Sequence, residues 1–142
     1  MNLLRISEAA SLGLHTMALL AHDRRKRFTN REIAAQLGAS EHHLAKVMQR
    51  LARAGLIDAI RGPQGGFRLA KVPSKVKLLE VFEAIEGPLT RQDCLLSQRA
   101  CRGREACVLG DLVRQVHALV RDHLAHRTLA DLAAGAAFLR RA

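Results

Sequence analysis

The stretch from Leu56 to Ala70 constrains the fold of this chain more than any other part of it. Two short strand-like runs, Leu56-Ile57-Asp58-Ala59-Ile60-Arg61 and Phe67-Arg68-Leu69-Ala70, flank Gly62-Pro63-Gln64-Gly65-Gly66. The glycines of that loop permit the positive φ angles that a hairpin turn needs. Three segments with helical rather than alternating apolar spacing precede the hairpin. The first runs from about Arg5 to His22, with Ile6, Ala9, Ala10, Leu12, Leu14, Met17, Ala18, Leu20 and Ala21 as its apolar positions, and ends in the basic run Asp23-Arg24-Arg25-Lys26-Arg27. In the second, Thr29 stands three residues before Glu32, a capping-box spacing, and Gly38 suits the end of so short a helix. Ser40 then caps a third helix, whose apolar positions Leu44, Val47, Met48 and Leu51 recur at three- and four-residue steps until Gly55 stops it. Three helices followed by a hairpin predict a mainly α fold, a winged helix-turn-helix with a small β-hairpin wing.

Beyond the hairpin, Pro73-Ser74 opens a second phase. Leu78, Leu79, Val81, Phe82 and Ile85 make a short amphipathic helix that Gly87-Pro88 closes. The stretch from Leu89 to Cys107 has no sustained apolar period and reads as loop. From Val108 the stripe Leu109, Leu112, Val113, Val116, Leu119, Val120 and Leu124 returns at helical spacing. Little chain remains to cover so long a stripe, so a partner subunit is its simplest cover. Thr128 is placed to cap a last short helix from Leu129 to Ala134, after which Gly135 interrupts an Ala-rich tail. At 142 residues the chain is one domain, or a small one with an appendage. Along it, residues 1–75 form the DNA-binding winged helix-turn-helix, 76–107 the short helix and cysteine loop, and 108–142 the dimerisation helix and tail. No apolar run approaches the roughly 18 residues of a membrane span. The start at Met1-Asn2-Leu3-Leu4-Arg5 lacks a signal peptide's apolar stretch, so a cytoplasmic protein is expected.

The formal charge of +10 is unevenly placed: 13 basic and 5 acidic residues through Lys75 leave a net +8 there. Such a field on a helix-turn-helix matches a nucleic-acid footprint. In this motif the second helix enters the major groove with its N-terminal residues toward the base edges, which puts Ser40, Glu41, His42, His43 and Lys46 nearest double-stranded DNA. At about 100° per residue, His42, Lys46, Gln49, Arg50 and Arg53 fall opposite the Leu44/Val47/Met48/Leu51 stripe. Lys46 suits a phosphate as a point charge and Arg50 as a fork, while Arg61 and Gln64 on the wing reach a minor groove or the backbone. Arg31 of the preceding helix and Gly65 of the wing complete the expected set. The bland alternative is a winged helix used for protein contact with its charges solvated, and the concentration of charge favours DNA. His42 and His43 are neighbours on a helix and point about 100° apart, so they do not share a metal-binding face. No Ser/His/Asp or paired-carboxylate constellation argues for an enzyme.

Cys94, Cys101 and Cys107 all lie in one short stretch, with six residues between the first two and five between the last two. An odd number so placed argues against a disulfide framework and for metal or redox chemistry. Structural zinc sites contain a close Cys pair two to four residues apart, which is missing here. Wider spacing lets three thiolates converge on a larger object such as an iron–sulfur cluster, with Arg99, Arg102 and Arg104 favouring thiolate over thiol. Redox thiols and buried structural cysteines are the competing readings.

Taken together, the helix-turn-helix, the wing Arg61-Gly62-Pro63-Gln64-Gly65-Gly66-Phe67, the helix from Leu78 to Glu86 and the three cysteines before a long helix resemble a known family. It is the bacterial winged-helix regulators that include IscR, NsrR and RirA, and the similarity runs over about residues 3–135. The resemblance implies a homodimeric repressor on pseudo-palindromic promoter DNA, with the helix from Val108 to Leu124 as the dimerisation element. It also implies an iron–sulfur cluster, 2Fe–2S or 4Fe–4S, on the three cysteines, sensing nitric oxide, redox state or iron supply. A cluster-free regulator with redox thiols is the alternative. IscR-type members use a His three residues after the third Cys, a place held here by Gly110. NsrR-type members use an acidic residue near the start of the first helix, contributed by the partner subunit. Glu8 occupies the matching place with one methylene more than the Asp of that subgroup, and His15, on the same helix face with Ser11 between, is the second candidate.

Overall fold

Each helix of the first half starts at a side chain that satisfies its free amides. The computed structural model describes residues 6–90 and 107–136. In it α1 spans Glu8–His22, α2 Asn30–Leu37 and α3 Glu41–Arg53, followed by β1 Ile57–Ile60, β2 Gly66–Leu69 and a single 3-10 turn at Pro73–Lys75. The helices α4 Leu78–Glu86, α5 Val108–His126 and α6 Leu129–Gly135 complete the order. The Ser7 hydroxyl accepts the Ala10 N–H at 3.0 Å, so α1 begins at Glu8, later than the apolar spacing alone implies. Thr29 and Glu32 cap reciprocally: the Glu32 N–H donates to the Thr29 hydroxyl at 3.2 Å, and the Thr29 N–H donates to the Glu32 carboxylate at 2.8 Å. Gly38, at φ +63°, takes the left-handed conformation that ends α2 and turns the chain straight into the Ser40 cap of α3.

The two strands pair antiparallel with Ile57 opposite Leu69 and Ile60 opposite Gly66. Phe28 extends this ribbon by exchanging both backbone hydrogen bonds with Phe67, at 3.0 and 2.7 Å. The expected wing is therefore present, and the segment between α1 and α2 is its third edge.

Helix α1 packs against α3, α4 and α6. Met17, Leu20, Leu44, Met48, Leu51, Leu56, Val76, Val81 and Leu129 are all buried in one continuous core. The last of these belongs to α6, which is anchored to the strand-like entry of α4. There the Leu129 N–H donates to the Val76 carbonyl at 2.8 Å and the Leu78 N–H to the Arg127 carbonyl at 3.0 Å. Residues after α5 thus return to the winged-helix core. Among the described residues, parts of the stretches 1–75, 76–107 and 108–142 all contribute to this core.

The apolar stripe of α5 divides in two. Leu124 is buried and Val113 and Val120 are half-buried on the side that meets α4. Leu109, Leu112, Val116 and Leu119, at alternating three- and four-residue steps, form a second seam that stays exposed, Leu119 at 71% and Leu112 at 54%. No helix among the described residues is long and apolar enough to cross a membrane.

The capping box gives a testable stability signature. The Thr29 backbone N–H holds the Glu32 carboxyl below its ordinary value. A carboxyl depressed in the folded state stabilises the protein above its unfolded pKa, and that contribution is lost as pH falls through the lower folded value. Glu32→Gln, which removes the carboxylate, should therefore cost about 0.3–1 kcal/mol at neutral pH in urea unfolding, with the difference from wild type shrinking below about pH 4.

Candidate nucleic-acid interface and cysteine site

The second helix of the helix-turn-helix, α3, buries Leu44, Val47, Met48 and Leu51 and leaves Glu41, His42, Lys46, Gln49, Arg50 and Arg53 exposed. This is the division expected from periodicity. Its N-terminus is fixed from α2, where the Asn30 side-chain amide donates to the Glu41 carbonyl at 2.9 Å. The Ser40 hydroxyl is spent as an acceptor for the His43 N–H at 3.0 Å, so its role at the tip begins as a cap. Arg31 on α2 and Arg61 and Gln64 on the wing are exposed. Gly65 is half-buried, and a Cβ there would meet the Ile60 carbonyl oxygen at 2.2 Å. Only glycine closes this turn, which makes Gly65 the former of the wing tip.

Arg50 does more than face outward. Its Nη1 donates to the Ile85 carbonyl at 2.8 Å, in the last turn of α4. The same end of α4 gathers further bonds. The Ser7 hydroxyl donates to the Glu86 carboxylate, the Leu89 N–H donates to Glu83 Oε1 at 3.0 Å, and Arg121 of α5 donates to the Leu89 carbonyl at 3.1 Å. Arg121 also stands 3.9 Å from Glu83. The start of α1, the recognition helix α3 and the helix α5 therefore all meet where the chain leaves α4 toward the cysteine-bearing segment.

Of the three cysteines, Cys107 is described. It is the N-cap residue of α5, half-buried, a free thiol with no side-chain capping bond. Cys94 and Cys101 lie outside the described residues. Gly110, where IscR-type members carry a His, is buried in the first turn of α5. Glu8 heads α1 with its side chain 86% exposed, and its Oε1 lies 3.9 Å from Nδ1 of His43. Two residues expected at different sites thus stand side by side, the first at the cysteine site and the second at the DNA. At that distance and exposure the pair contributes little stability. His15 is exposed, with Nδ1 2.7 Å from the Ser11 carbonyl.

Sequence reasoning missed the tie between Arg50 and Ile85, the roles of Glu83 and Arg121, and the placement of the basic run beside the wing, where Arg27 Nη1 donates to the Gln64 carbonyl at 3.2 Å. The run itself was visible in the sequence. Its neighbour was not, because the two lie 37 residues apart.

A winged helix-turn-helix with an exposed basic recognition face, joined to a cysteine-bearing segment and a half-covered long helix, defines the class of bacterial winged-helix transcriptional regulators. The chain belongs to the Rrf2 family, described as "Iron-dependent Transcriptional regulator", whose model matches residues 6–135. The HTH-type transcriptional regulator NsrR of Geobacillus kaustophilus is 37% identical over 99 residues, 70% of this chain and 64% of its own length. The match spans 64% of that relative's length, 53% of the "Putative HTH-type transcriptional regulator BadM" of Rhodopseudomonas palustris and 89% of a "Putative HTH-type transcriptional regulator" of Aquifex aeolicus. Among solved structures, CymR, the global cysteine regulator of B. subtilis, superposes with a TM-score of 0.76 at 29% identity, covering 93% of this chain and 98% of that one. IscR of T. potens does so at 0.71 and 27%, covering 91% and 85%. These relatives are regulators rather than enzymes.

Two of the three cations of α3, Arg50 and Lys46, differ in what they hold, and unfolding separates them. Arg50→Ala removes a charged donor from a carbonyl and should cost about 1.5–3 kcal/mol in urea. Lys46→Ala, which breaks no bond, should stay within about 0.5 kcal/mol of wild type.

Proposed function

We propose that the chain is a homodimeric, promoter-binding repressor whose DNA affinity is set by an iron–sulfur cluster on Cys94, Cys101 and Cys107, with Glu8 of the partner subunit as fourth ligand. The observation that carries this reading is the junction at the end of α4. Arg50 connects the recognition helix to the Ile85 carbonyl, in the last turn of the helix that leads to the cysteine-bearing segment. A change of state in that segment bears on Ile85, Glu86 and Leu89, and through them on α3, α1 and α5. A difference of about 1–3 kcal/mol in DNA affinity between two states is enough for regulation.

The donors fit the group. Cys107 presents an uncommitted sulfur at a helix N-terminus, where an anionic ligand is favoured, and Glu8 presents a carboxylate with one weak contact. Gly110 supplies no side chain at the alternative position. When bound, the cluster supplies iron that reacts with nitric oxide or oxidants. The protein's share is to hold it and to transmit its presence. His15 is the less favoured ligand, because it lies two helical turns from Glu8 and bonds its own helix through the Ser11 carbonyl.

In the same reading, Lys46, His42, Glu41, His43 and Ser40 meet the major groove, Arg61 and Gln64 of the wing meet the backbone or minor groove, and Arg31 meets phosphate. Arg50 serves chiefly to position α3. The exposed seam of Leu109, Leu112, Val116 and Leu119 has the period of a helix–helix interface, and a second copy covers it. The likeness to CymR, one of whose S. aureus structures is of an oxidized form, favours a second reading in which the cysteines work as thiols without iron.

Anaerobic purification separates the two readings. The cluster reading expects visible sulfur-to-iron absorption with iron and sulfide in the protein, both lost in Cys107→Ser and shortened in lifetime by Glu8→Ala. A colourless protein without iron or sulfide contradicts it and leaves the thiol reading.

A further inference from the structure

The densest positive charge in the chain is on neither the recognition helix nor the wing. Arg24, Arg25, Lys26 and Arg27 are consecutive, whereas α3 carries Lys46, Arg50 and Arg53 against Glu41, with Arg50 already bonded to Ile85. Most of the attraction that a polyanion feels toward this half must come from somewhere else. The turn between α1 and α2 is the largest single source.

That turn is built and placed. Asp23 Oδ1 accepts the N–H groups of Arg25 and Lys26 at 3.2 and 3.3 Å, which holds the turn closed. Lys26 is spent internally, 3.5 Å from Glu32 and 4.7 Å from the centre of the Phe28 ring. Arg27 is fastened to the wing tip through the Gln64 carbonyl, and Phe28 is paired with Phe67 of β2. Two residues on, Asn30 bonds the first residue of α3. The segment from Asp23 to Asn30 therefore spans the space between the wing tip and the start of the recognition helix, the two parts of the motif that meet DNA. Only Arg24 and Arg25 are left over. Both are exposed, and neither side chain has a polar partner among the described residues.

We propose that Arg24 and Arg25 form a third DNA contact, a clamp on the phosphate backbone beside the wing that strengthens binding without regard to sequence. This rests on the DNA-binding reading above. Two guanidinium groups on consecutive residues, neither in an ion pair among the described residues, repel each other, and successive phosphates relieve that repulsion while offering paired oxygens to each fork. Phosphate contacts of this kind set register and affinity and carry no base information.

The test is titration of the full-length protein with two 30-base-pair duplexes, one of random sequence and one selected from a random pool, at several salt concentrations. Each neutralised phosphate contributes about 0.9 to the slope of log affinity against log salt. Arg24→Gln/Arg25→Gln should flatten the slope by about 3–4 per dimer and weaken both duplexes by the same factor. Lys75→Gln/Lys77→Gln, an equal loss of charge at the turn that packs on α6, should leave the slope within about 1 of wild type. An unchanged slope in the arginine variant, a loss confined to one duplex, or an equal effect of the lysine variant overturns the clamp. Wild-type protein that binds neither duplex overturns the DNA-binding reading itself, and the clamp with it.

Discussion

The arrangement of this protein depends on how closely α1 lies against α3 and α4. Gly13 sits at the contact: a Cβ there would meet Ile85 Cγ1 at 3.0 Å and Val47 Cγ1 at 3.6 Å, so the missing side chain lets α1 rest directly on both helices. Met17 and Leu20, further along α1, are fully buried and hold that seat. Because Ile85 is in the last turn of α4 and Val47 is in the recognition helix, one close approach fixes the end of α4 relative to the DNA-facing surface. The bonds from Arg50 to the Ile85 carbonyl and from Ser7 to Glu86 are available only because this packing brings them within reach. A tightly packed interior passes displacement along rather than absorbing it. A device for relaying the state of the segment after α4 therefore needs no hinge beyond this contact.

Electrostatics act around that frame at two ranges. At long range the excess charge of the first 75 residues attracts a polyanion, with salt reducing the attraction. At short range each cation has a separate task. Arg50 joins α3 to α4, Arg27 joins the inter-helix turn to the wing, Lys26 braces the α2 cap through Glu32, and Lys46 remains open to solvent. A count of positive charges treats these residues alike. The structure divides them into those that build the surface and those that are left to meet a ligand.

The same division shows what was legible in the sequence. Caps and turns were legible because they act within three or four residues: Thr29 with Glu32, Ser40 with the third amide of α3, Gly38 in its left-handed turn, and Gly62 and Gly66 of the wing at positive φ all stand as their spacing implies. The exposed face of α3 was legible because periodicity fixes direction about a helix's own axis. What periodicity does not give is the neighbour on that side. That Arg50 also donates to a carbonyl of α4, and that Glu8 of α1 lies beside His43 of α3, are matters of neighbours that spacing along the chain does not carry. The stripe of α5 was likewise visible as one band, and only the position of α4 separates its covered residues from the seam at Leu109, Leu112, Val116 and Leu119. The expectations for Cys94 and Cys101 fall outside the described residues and rest on spacing and family resemblance.

The central claim is that a change at the cysteines alters the affinity of a recognition helix in another part of the chain. The most direct test is to measure the affinity of one anaerobic preparation for one selected duplex before and after chelation of its iron, with the stoichiometry read from the same titration. The result expected is two chains per duplex and an affinity change of about fivefold or more between the two states. Equal affinities in both states, with the cysteines intact and the iron removed, would contradict the account.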